Sequence, residues 1–234
     1  PEAGYDDQDP YANRDPRLAL YIVVNGTVMG TDGKTIDTSV DNTSNNDGLN
    51  KENGYSTRTG YYLRKHLRED VYLSSTTTTG QPHYSPRIRY TEIYLNYAEA
   101  KYFCGDEGTA RQYVNFVRER ARNMAEDPTN MLPDVTESGD ALLKKIQQER
   151  KVELAFEEHR YFDVRRWKIA EDTQVGQFHG IKITKKADGT KAYTITNVGN
   201  PRNFIAPNHY LAPIPNYERR KNSALEQNPG YSDL

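Results

Sequence analysis

The sequence is poor in cysteine, and it has no long apolar run. Cys104 is the one cysteine among 234 residues, so no disulfide can form within the chain. Its place in an apolar helical pattern predicts a small buried side chain. No run approaches the ~20 apolar residues of a membrane-spanning helix. The chain begins at Pro1 with no recognisable signal peptide, so we expect an internal start with any targeting signal upstream.

Neither an excess of positive charge nor a large apolar fraction is present. The formal net charge is -2, which argues against a nucleic-acid partner. Only 35% of the residues are hydrophobic, and tyrosine makes up part of the shortfall, with 18 Tyr against 6 Phe and 1 Trp. A tyrosine ring with its polar tip suits a wet binding surface, but it also suits half-buried positions around a core. Both interpretations stay open.

Motifs for metal binding and catalysis are also missing. The histidines are widely spaced and form no zinc motif. Acidic stretches at residues 6–9 and 41–48 are candidate calcium-binding sites. Aligned on Gly48, however, an EF-hand would need acidic ligands at Thr43 and Gly54 and finds neither. We expect no cofactor, although a calcium site of another kind stays open. No nucleophile elbow, P-loop or dinucleotide fingerprint occurs, so we expect no enzyme.

Hydrophobic periodicity divides the chain into three segments. Residues 1–86 read as a loop-rich segment with possible ligand-facing loops and one predicted strand at residues 18–24. Residues 87–170 carry the helical pattern and form the predicted core. Residues 171–234 read as a β-hairpin and a C-terminal tail that belong to the same domain.

The helical segment predicts consecutive antiparallel helices, with a capping box at Thr109 and Gln112 opening the second. Asp-Gly between two alternating runs predicts that the hairpin turns at residues 188–189. The predicted helices cover residues 88–103, 109–122 and 140–158, with the last pattern continuing to Trp167.

The densest charge pattern follows the third predicted helix. One interpretation is a carboxylate pair for glycoside hydrolysis, at a separation of about 5–9 Å. The other is a ladder of ion pairs that ties this helix to neighbouring loops. Each carboxylate has an arginine within reach, which keeps it ionised and makes it a poor general acid. We therefore predict a structural network of Glu149, Arg150, Glu153, Arg160 and Asp163.

A polar, glycine-containing stretch at residues 53–62 carries three tyrosines, Tyr55, Tyr61 and Tyr62. Aromatic rings on a surface loop form a platform for a sugar ring or an apolar side chain. The alternative is that Tyr61 or Tyr62 packs onto the helices. We predict that these three residues contribute part of a shallow ligand site.

Six segments of the chain resemble, in order, the motifs of the SusD/RagB family of nutrient-binding lipoproteins. Any one motif would be weak, but the ordered set is specific. One departure is Glu158, where the family usually has glycine, and we expect a slightly different bend there. The six segments are residues 15–18 (DPRL), 60–65 (GYYLRK), 87–100 (RIRYTEIYLNYAEA), 149–167 (ERKVELAFEEHRYFDVRRW), 211–215 (LAPIP) and 227–231 (QNPGY).

The resemblance implies a mainly α-helical SusD-like scaffold of tetratricopeptide-like helical repeats, with long loops and a small β-hairpin. It implies a non-enzymatic protein of the outer membrane and cell surface that takes part in polysaccharide utilisation. Such a protein binds a glycan, or a peptide in RagB-like members, and passes it to a SusC-type TonB-dependent transporter. This chain would be the C-terminal part of that protein. The N-terminal lipid anchor and much of the ligand site would lie upstream of Pro1.

Two alternatives stay open beside the resemblance. A helical-repeat interaction module without a small ligand would present a flat, non-concave helix surface. A glycosidase would hydrolyse an oligosaccharide.

Overall fold

The computed structural model describes residues 5–43, 46–50, 56–73, 82, 86–124 and 132–231. Within these residues helices supply most of the regular structure, which confirms the mainly α fold class. The helices are α1 Arg17–Tyr21, α2 Tyr90–Phe103, α3 Glu107–Met124, α4 Gly139–Glu153, α5 His159–Arg166, α6 Ala170–Thr173 and α7 Asn216–Lys221, with a short 3₁₀ turn at Asn208–Tyr210. The strands are β1 Ile22–Val23, β2 Val28–Met29, β3 Lys34–Thr35, β4 Tyr62–Leu63, β5 Gly176–Lys185 and β6 Lys191–Arg202.

The main core lies between α2, α3 and α4, as the helical periodicity predicts. Gly105 follows α2 with a φ of 79°, a conformation that glycine adopts without steric cost, and the chain then turns directly into α3. α2 and α3 therefore form a hairpin, against which α4 packs. The buried side chains of this core are Leu95, Ala98, Ala110, Val114, Val117, Val135, Leu142, Ile146 and Leu154.

The start of α3 differs from the predicted capping box. Asp106 accepts a hydrogen bond on Oδ1 from the backbone N–H of Thr109, at 3.1 Å, and its carbonyl accepts the first bond of the helix from Ala110. Asp106 therefore caps the helix, and Thr109 lies inside its first turn. That hydrogen bond from the Thr109 backbone also holds the pKa of the Asp106 carboxyl below its ordinary value.

The end of α4 also differs from the prediction. The helix stops at Glu153 rather than at residue 158, and a turn separates it from α5. Within that turn Phe156 and Glu158 have φ values of 65° and 66°, a left-handed conformation that interrupts the helical hydrogen bonds. The expectation that the bend at Glu158 differs from that of the family stays a prediction, and the left-handed backbone of Glu158 is one that glycine adopts without steric cost.

The first segment of the chain begins with a helix where a strand was expected. Residues 17–21 are helical, and only Ile22 and Val23 of the predicted strand are extended. The cause is a turn at Asp15, whose carbonyl accepts a bond from the N–H of Leu18 and whose carboxylate accepts one from the N–H of Arg17. β1 then pairs antiparallel with β4, and β2 with β3. A second, smaller core forms here from Val23, Met29 and Ile36.

The predicted hairpin is confirmed. β5 pairs with β6, and the N–H of Lys186 donates to the carbonyl of Thr190 at 2.8 Å across the turn. Gly189 has a φ of 83°, the conformation that the Asp-Gly signal requires. β5 also lies against the stretch around Thr59. The N–H of Ile181 donates a hydrogen bond to the carbonyl of Thr59 at 2.8 Å.

The chain divides into two compact units, residues 1–157 with 179–196 and residues 158–178 with 197–234. The sequence-based division at residues 86 and 170 stays a prediction. Cys104 is exposed, so its predicted burial was wrong: it follows the last turn of α2 instead of facing the core. Among the described residues, no helix is long and apolar enough to cross a membrane.

Candidate functional site

Three buried carboxylates form the centre of a charge network in the first unit. Glu149 and Glu153 lie one turn apart on α4, and Glu157 follows in the turn after it. Their side chains are only 3%, 0% and 6% exposed. Because a buried carboxylate without a partner costs several kcal/mol, this arrangement requires cations close by.

Arginines from distant parts of the chain surround Glu149 and Glu153. Arg17 donates to both carboxylates, in a short contact with Glu149 and at 3.1 Å to Oε2 of Glu153. Arg118 donates to the second oxygen of Glu149 at 3.0 Å. Both oxygens of Glu153 are engaged, because Tyr21 donates to one, and Arg89 and Arg120 donate to the other.

Glu157 is held by Arg89 and Lys65. Arg89 donates to both of its oxygens at 2.7 Å, and the Lys65 ammonium lies 2.5 Å from Oε1. Lys65 also donates to the carbonyls of Glu153 and Ala155, at 2.7 and 3.0 Å. Burial by itself would raise the pKa of Glu157, but the hydrogen bonds from Arg89 and Lys65 outweigh it and hold the pKa below its ordinary value.

This geometry favours an ion-pair network over the carboxylate pair of a glycosidase. A general acid needs a carboxyl group that retains its proton near neutral pH. Here every oxygen of Glu149, Glu153 and Glu157 is already engaged by a cation or a hydroxyl of the fold, and the pKa of Glu157 is held below its ordinary value.

The predicted members of the network have different surroundings. Glu149 and Glu153 share Arg17, as described above. Arg150 is buried and donates to Oδ1 of Asn96 on α2 at 2.6 Å. Arg160 and Asp163 belong to the second unit. There Asp163 accepts from Nε of Arg166 at 2.9 Å, and burial lowers the pKa of Arg160 in spite of the opposing charge of Asp163.

The sequence analysis missed the cations that complete the network. Arg17 is 132 residues away from Glu149, so no local spacing connects the two. Arg17, Lys65 and Arg89 lie within segments that carry the family resemblance, which was the available signal. The positions of Arg118 and Arg120 gave no such signal. Both lie near the end of a predicted helix, where the helix dipole alone accounts for positively charged residues.

We expect the network to make stability depend on pH in acid. The pKa of Glu157 is lower in the folded chain than its ordinary value of 4.5. Its contribution to the free energy of unfolding is therefore complete above about pH 4.5 and is lost as the pH falls towards the folded pKa. Urea midpoints measured between pH 7 and pH 3 should fall more steeply for the native chain than for Glu157→Gln. Parallel curves would contradict this assignment.

A cluster of tyrosines forms a second candidate site in the first unit. The ring of Tyr11 packs edge to face against Tyr61, with centroids 6.4 Å apart, and against Tyr193, with centroids 6.0 Å apart. Burial raises the pKa of each of the three hydroxyls. The cluster thus combines three half-buried rings with three protonated hydroxyls.

Two hydrogen bonds between Gln8 and Tyr193 hold one side of this cluster in place. The side chain of Gln8 donates to the carbonyl of Tyr193 at 3.3 Å and accepts from its N–H at 3.4 Å, so the N-terminal segment lies beside β6. The guanidinium of Arg14 lies 5.3 Å from the ring centroid of Tyr5. A cavity of about 240 Å³ adjoins Tyr11 and Arg14, and its wall includes Asn13 and Asp15.

The three tyrosines predicted for ligand binding have separate placements. Tyr61 belongs to the cluster. Tyr62 lies in β4 instead of a loop, so its predicted location was wrong. Its hydroxyl accepts from the N–H of Thr57 and donates to the carbonyl of Asp47, and its ring packs on the second core. Tyr55 lies outside the described residues. The ligand role of all three stays a prediction. The sequence analysis missed Tyr11 and Tyr193, because they lie 50 and 132 residues from Tyr61 and no local spacing connects them.

The described part of the chain contains no group of three or more His, Cys, Asp or Glu side chains placed to hold a metal ion. Asp6 and Asp9, from the acidic stretch that suggested calcium, pair through their backbones in an isolated β-bridge.

The described residues thus form a helical scaffold with a buried ion-pair network and a cluster of tyrosines. The chain belongs to the SusD family, whose profile matches residues 2–231. This confirms the resemblance seen in the sequence motifs.

Individual relatives agree with this assignment. A SusD-like protein P2 of Formosa agariphila is 30% identical over 174 residues, which are 73% of this chain and 30% of the relative. A crystal structure of a SusD-like protein from Bacteroides fragilis matches 95% of this chain and 40% of its own, with 34% identity and a TM-score of 0.74. A SusD-like carbohydrate binding protein from the same species matches 92% and 42%, with 28% identity and a TM-score of 0.70. The chain therefore spans less than half the length of these relatives.

Proposed function

We propose that this chain is part of a cell-surface protein that binds oligosaccharides and delivers them to a SusC-type TonB-dependent transporter. Membership of the SusD family supports the proposal, as does the likeness to a solved relative described as carbohydrate binding. The observation that carries it on this chain is the cluster of Tyr11, Tyr61 and Tyr193 beside a cavity. The protein would be held at the outer membrane by a lipid anchor outside residues 1–234.

The tyrosine cluster has the chemistry that a sugar needs. Aromatic rings offer apolar faces to the C–H groups of a pyranose, and their hydroxyls exchange hydrogen bonds with its polar rim. Side chains with two rotatable bonds lose little entropy when a ligand orders them. The cavity of about 240 Å³ is smaller than the usual range of roughly 300–1,000 Å³ for ligand pockets. We therefore infer that this chain supplies one part of a larger site.

A binding role without catalysis is consistent with the ion-pair network. The carboxylates of the network are engaged in ion pairs that stabilise the scaffold, and ligand binding requires no catalytic group. A capture protein tethered beside a transporter also needs only modest affinity, because the tether raises the local ligand concentration. A peptide ligand, as in RagB-like relatives, is the second candidate, since the same rings suit an apolar side chain.

Loss of a ring from the cluster should weaken ligand binding. We expect Tyr61→Leu and Tyr193→Leu each to reduce the affinity of the complete protein for its best oligosaccharide by about two- to tenfold, since an aromatic contact contributes roughly 0.5–1.5 kcal/mol. Leucine keeps apolar volume, so the melting temperature should change little. Isothermal titration calorimetry after a screen of oligosaccharides and peptides measures the effect.

Tyr72→Leu is the matched control. Tyr72 is 58% exposed and makes none of the ring contacts of the cluster, so this variant should bind like the native protein. If both cluster variants kept native affinity, the ligand site would lie elsewhere. Hydrolysis of the bound oligosaccharide would instead favour the glycosidase alternative.

A further inference from the structure

A second cavity in the first unit, of about 300 Å³, adjoins the ion-pair network. Its wall includes four cations of that network, Arg17, Lys65, Arg89 and Arg120. None of the described residues that line it is acidic. The cavity therefore borders the cations of the network and not its carboxylates, and we call it the cationic cavity.

The ion pairs around the cationic cavity join more cations than carboxylates. The cations are Arg17, Lys65, Arg89, Arg118 and Arg120, and the carboxylates are Asp15, Glu149, Glu153 and Glu157. The network thus carries a surplus of one positive charge. The side chains of Lys65 and Arg89 are only 10% and 17% exposed, so water screens their charges weakly and an anion in the cavity would be attracted strongly.

Arg120 is the cation of the network that is best placed to bind a ligand. Its side chain is 43% exposed, and among the described residues its guanidinium makes one hydrogen bond, from Nη2 to Oε1 of Glu153 at 3.0 Å. The same oxygen also accepts from Arg89, and the other oxygen of Glu153 accepts from Arg17 and Tyr21. Glu153 is therefore neutralised without Arg120, whose remaining N–H groups form a planar fork that fits an oxyanion.

We propose that the cationic cavity binds an oxyanion group carried by a sugar residue, either a carboxylate or a sulfate. The fork of Arg120 matches the paired oxygens of both groups. The wall of the cavity also contains Leu20, Tyr21 and Met124, whose apolar surfaces suit the C–H groups of a sugar ring and offer nothing to a bare inorganic ion. The volume lies at the lower end of the usual range for ligand pockets, so the cavity takes a small part of a ligand.

The cationic cavity is separate from the one beside Tyr11, and no residue lines both. The inference rests on the proposed function only for the sugar that carries the anion. Binding of a neutral oligosaccharide at the tyrosine cluster is measured with the Tyr61 and Tyr193 variants. A failure of either proposal is therefore distinguishable from a failure of the other.

Calorimetric titration of the complete protein with small acidic sugars tests this inference. The acidic probes are glucuronate and glucose 6-sulfate. Glucose is the matched sugar without the anion, and inorganic sulfate is the anion without the sugar. All titrations share one pH and one ionic strength, because salt screens the attraction between charges. We expect at least one acidic sugar to bind saturably and at least about tenfold more tightly than glucose or sulfate, since hydrogen bonds between charged groups are the stronger ones.

Variants of Arg120 locate the binding. Arg120→Gln keeps a donor for Glu153 but removes the charge, so the affinity for the acidic sugar should fall at least about tenfold. Arg120→Lys keeps the charge without the planar fork and should give an intermediate affinity. Arg111→Gln is the matched control, because Arg111 lies on the same helix and pairs with Glu107 at 3.3 Å but does not line the cavity. This variant should bind like the native protein.

Each other outcome overturns the proposal. Saturable binding of neither acidic sugar would leave the cavity without the proposed ligand. Equal affinity for glucose would make it a site for neutral sugars, and equal affinity for sulfate would make it a site for a free inorganic ion. Native affinity in Arg120→Gln would place the acidic-sugar site elsewhere. Circular dichroism of the variants shows whether they remain folded, and Arg120→Lys provides the comparison if Arg120→Gln does not.

Discussion

Replacing Arg17 by methionine should lower the free energy of unfolding by about 3–5 kcal/mol, the range measured when one partner of a buried ion pair is removed. Arg17 is 2% exposed and contacts Asp15, Glu149 and Glu153. Methionine fills much of the same volume but leaves two buried carboxylates with one fewer cation. Denaturation in urea at pH 7 measures the change.

Lys221→Met is the control for this prediction. Lys221 pairs with Glu218 on α7 at 3.2 Å, but its side chain is 68% exposed. Exposed pairs contribute at most about 1 kcal/mol, because water already solvates both charges. If Arg17→Met were as stable as Lys221→Met, the network would not be a main support of the fold.

Gly180→Ala should cost about 3 kcal/mol, at the upper end of the usual range for overpacking. A Cβ atom on Gly180 would lie 2.6 Å from the carbonyl oxygen of Thr59 and 2.7 Å from its Cα. Both atoms are backbone, and the bond from Ile181 to Thr59 holds the two segments together, so neither can move aside cheaply. Gly60 lies on the opposite side of this contact. A Cβ atom on Gly60 would lie 2.3 Å from the carbonyl oxygen of Ile181, so neither glycine leaves room for a side chain.

Gly108→Ala separates this steric effect from the general effect of removing a glycine. Gly108 lies in the first turn of α3, and a Cβ there would meet nothing closer than Oδ1 of Asp106 at 3.9 Å. Alanine should therefore stabilise the helix, by up to roughly 0.5–1 kcal/mol. Thermal melts of both variants give the comparison, and a native melting temperature for Gly180→Ala would contradict the close approach of the two segments.

The sequence predicted the parts of the fold that depend on local periodicity and turn chemistry. α2 and α3 lie close to the predicted positions, and the hairpin turns at Asp188 and Gly189, because these features are encoded within a few residues. The failures have causes that an apolar pattern does not record. Residues 17–21 are helical because a turn at Asp15 starts the helix, and Arg17 on that helix is held by Glu149, 132 residues away.

The candidate sites were predicted only in part for the same reason. The carboxylates Glu149 and Glu153 were found because they are four residues apart on one helix. The cations that hold them come from α1, from α3 and from Arg89 just before α2, and no local spacing links them to the carboxylates. Tyr61 was found as a member of a tyrosine-rich stretch, whereas Tyr11 and Tyr193 join it only through the folded chain.

The ion-pair network also bears on how fast the chain folds and unfolds. Arg17 reaches Glu149 and Glu153 across 132 and 136 residues, whereas α2, α3 and α4 follow one another along the chain. Closing so long a loop costs entropy that local helix pairing does not. We therefore expect the contacts of Arg17 to form after the rate-limiting barrier, so that Arg17→Met raises the unfolding rate and leaves the folding rate unchanged in stopped-flow measurements. The network would then slow the unfolding of the native state.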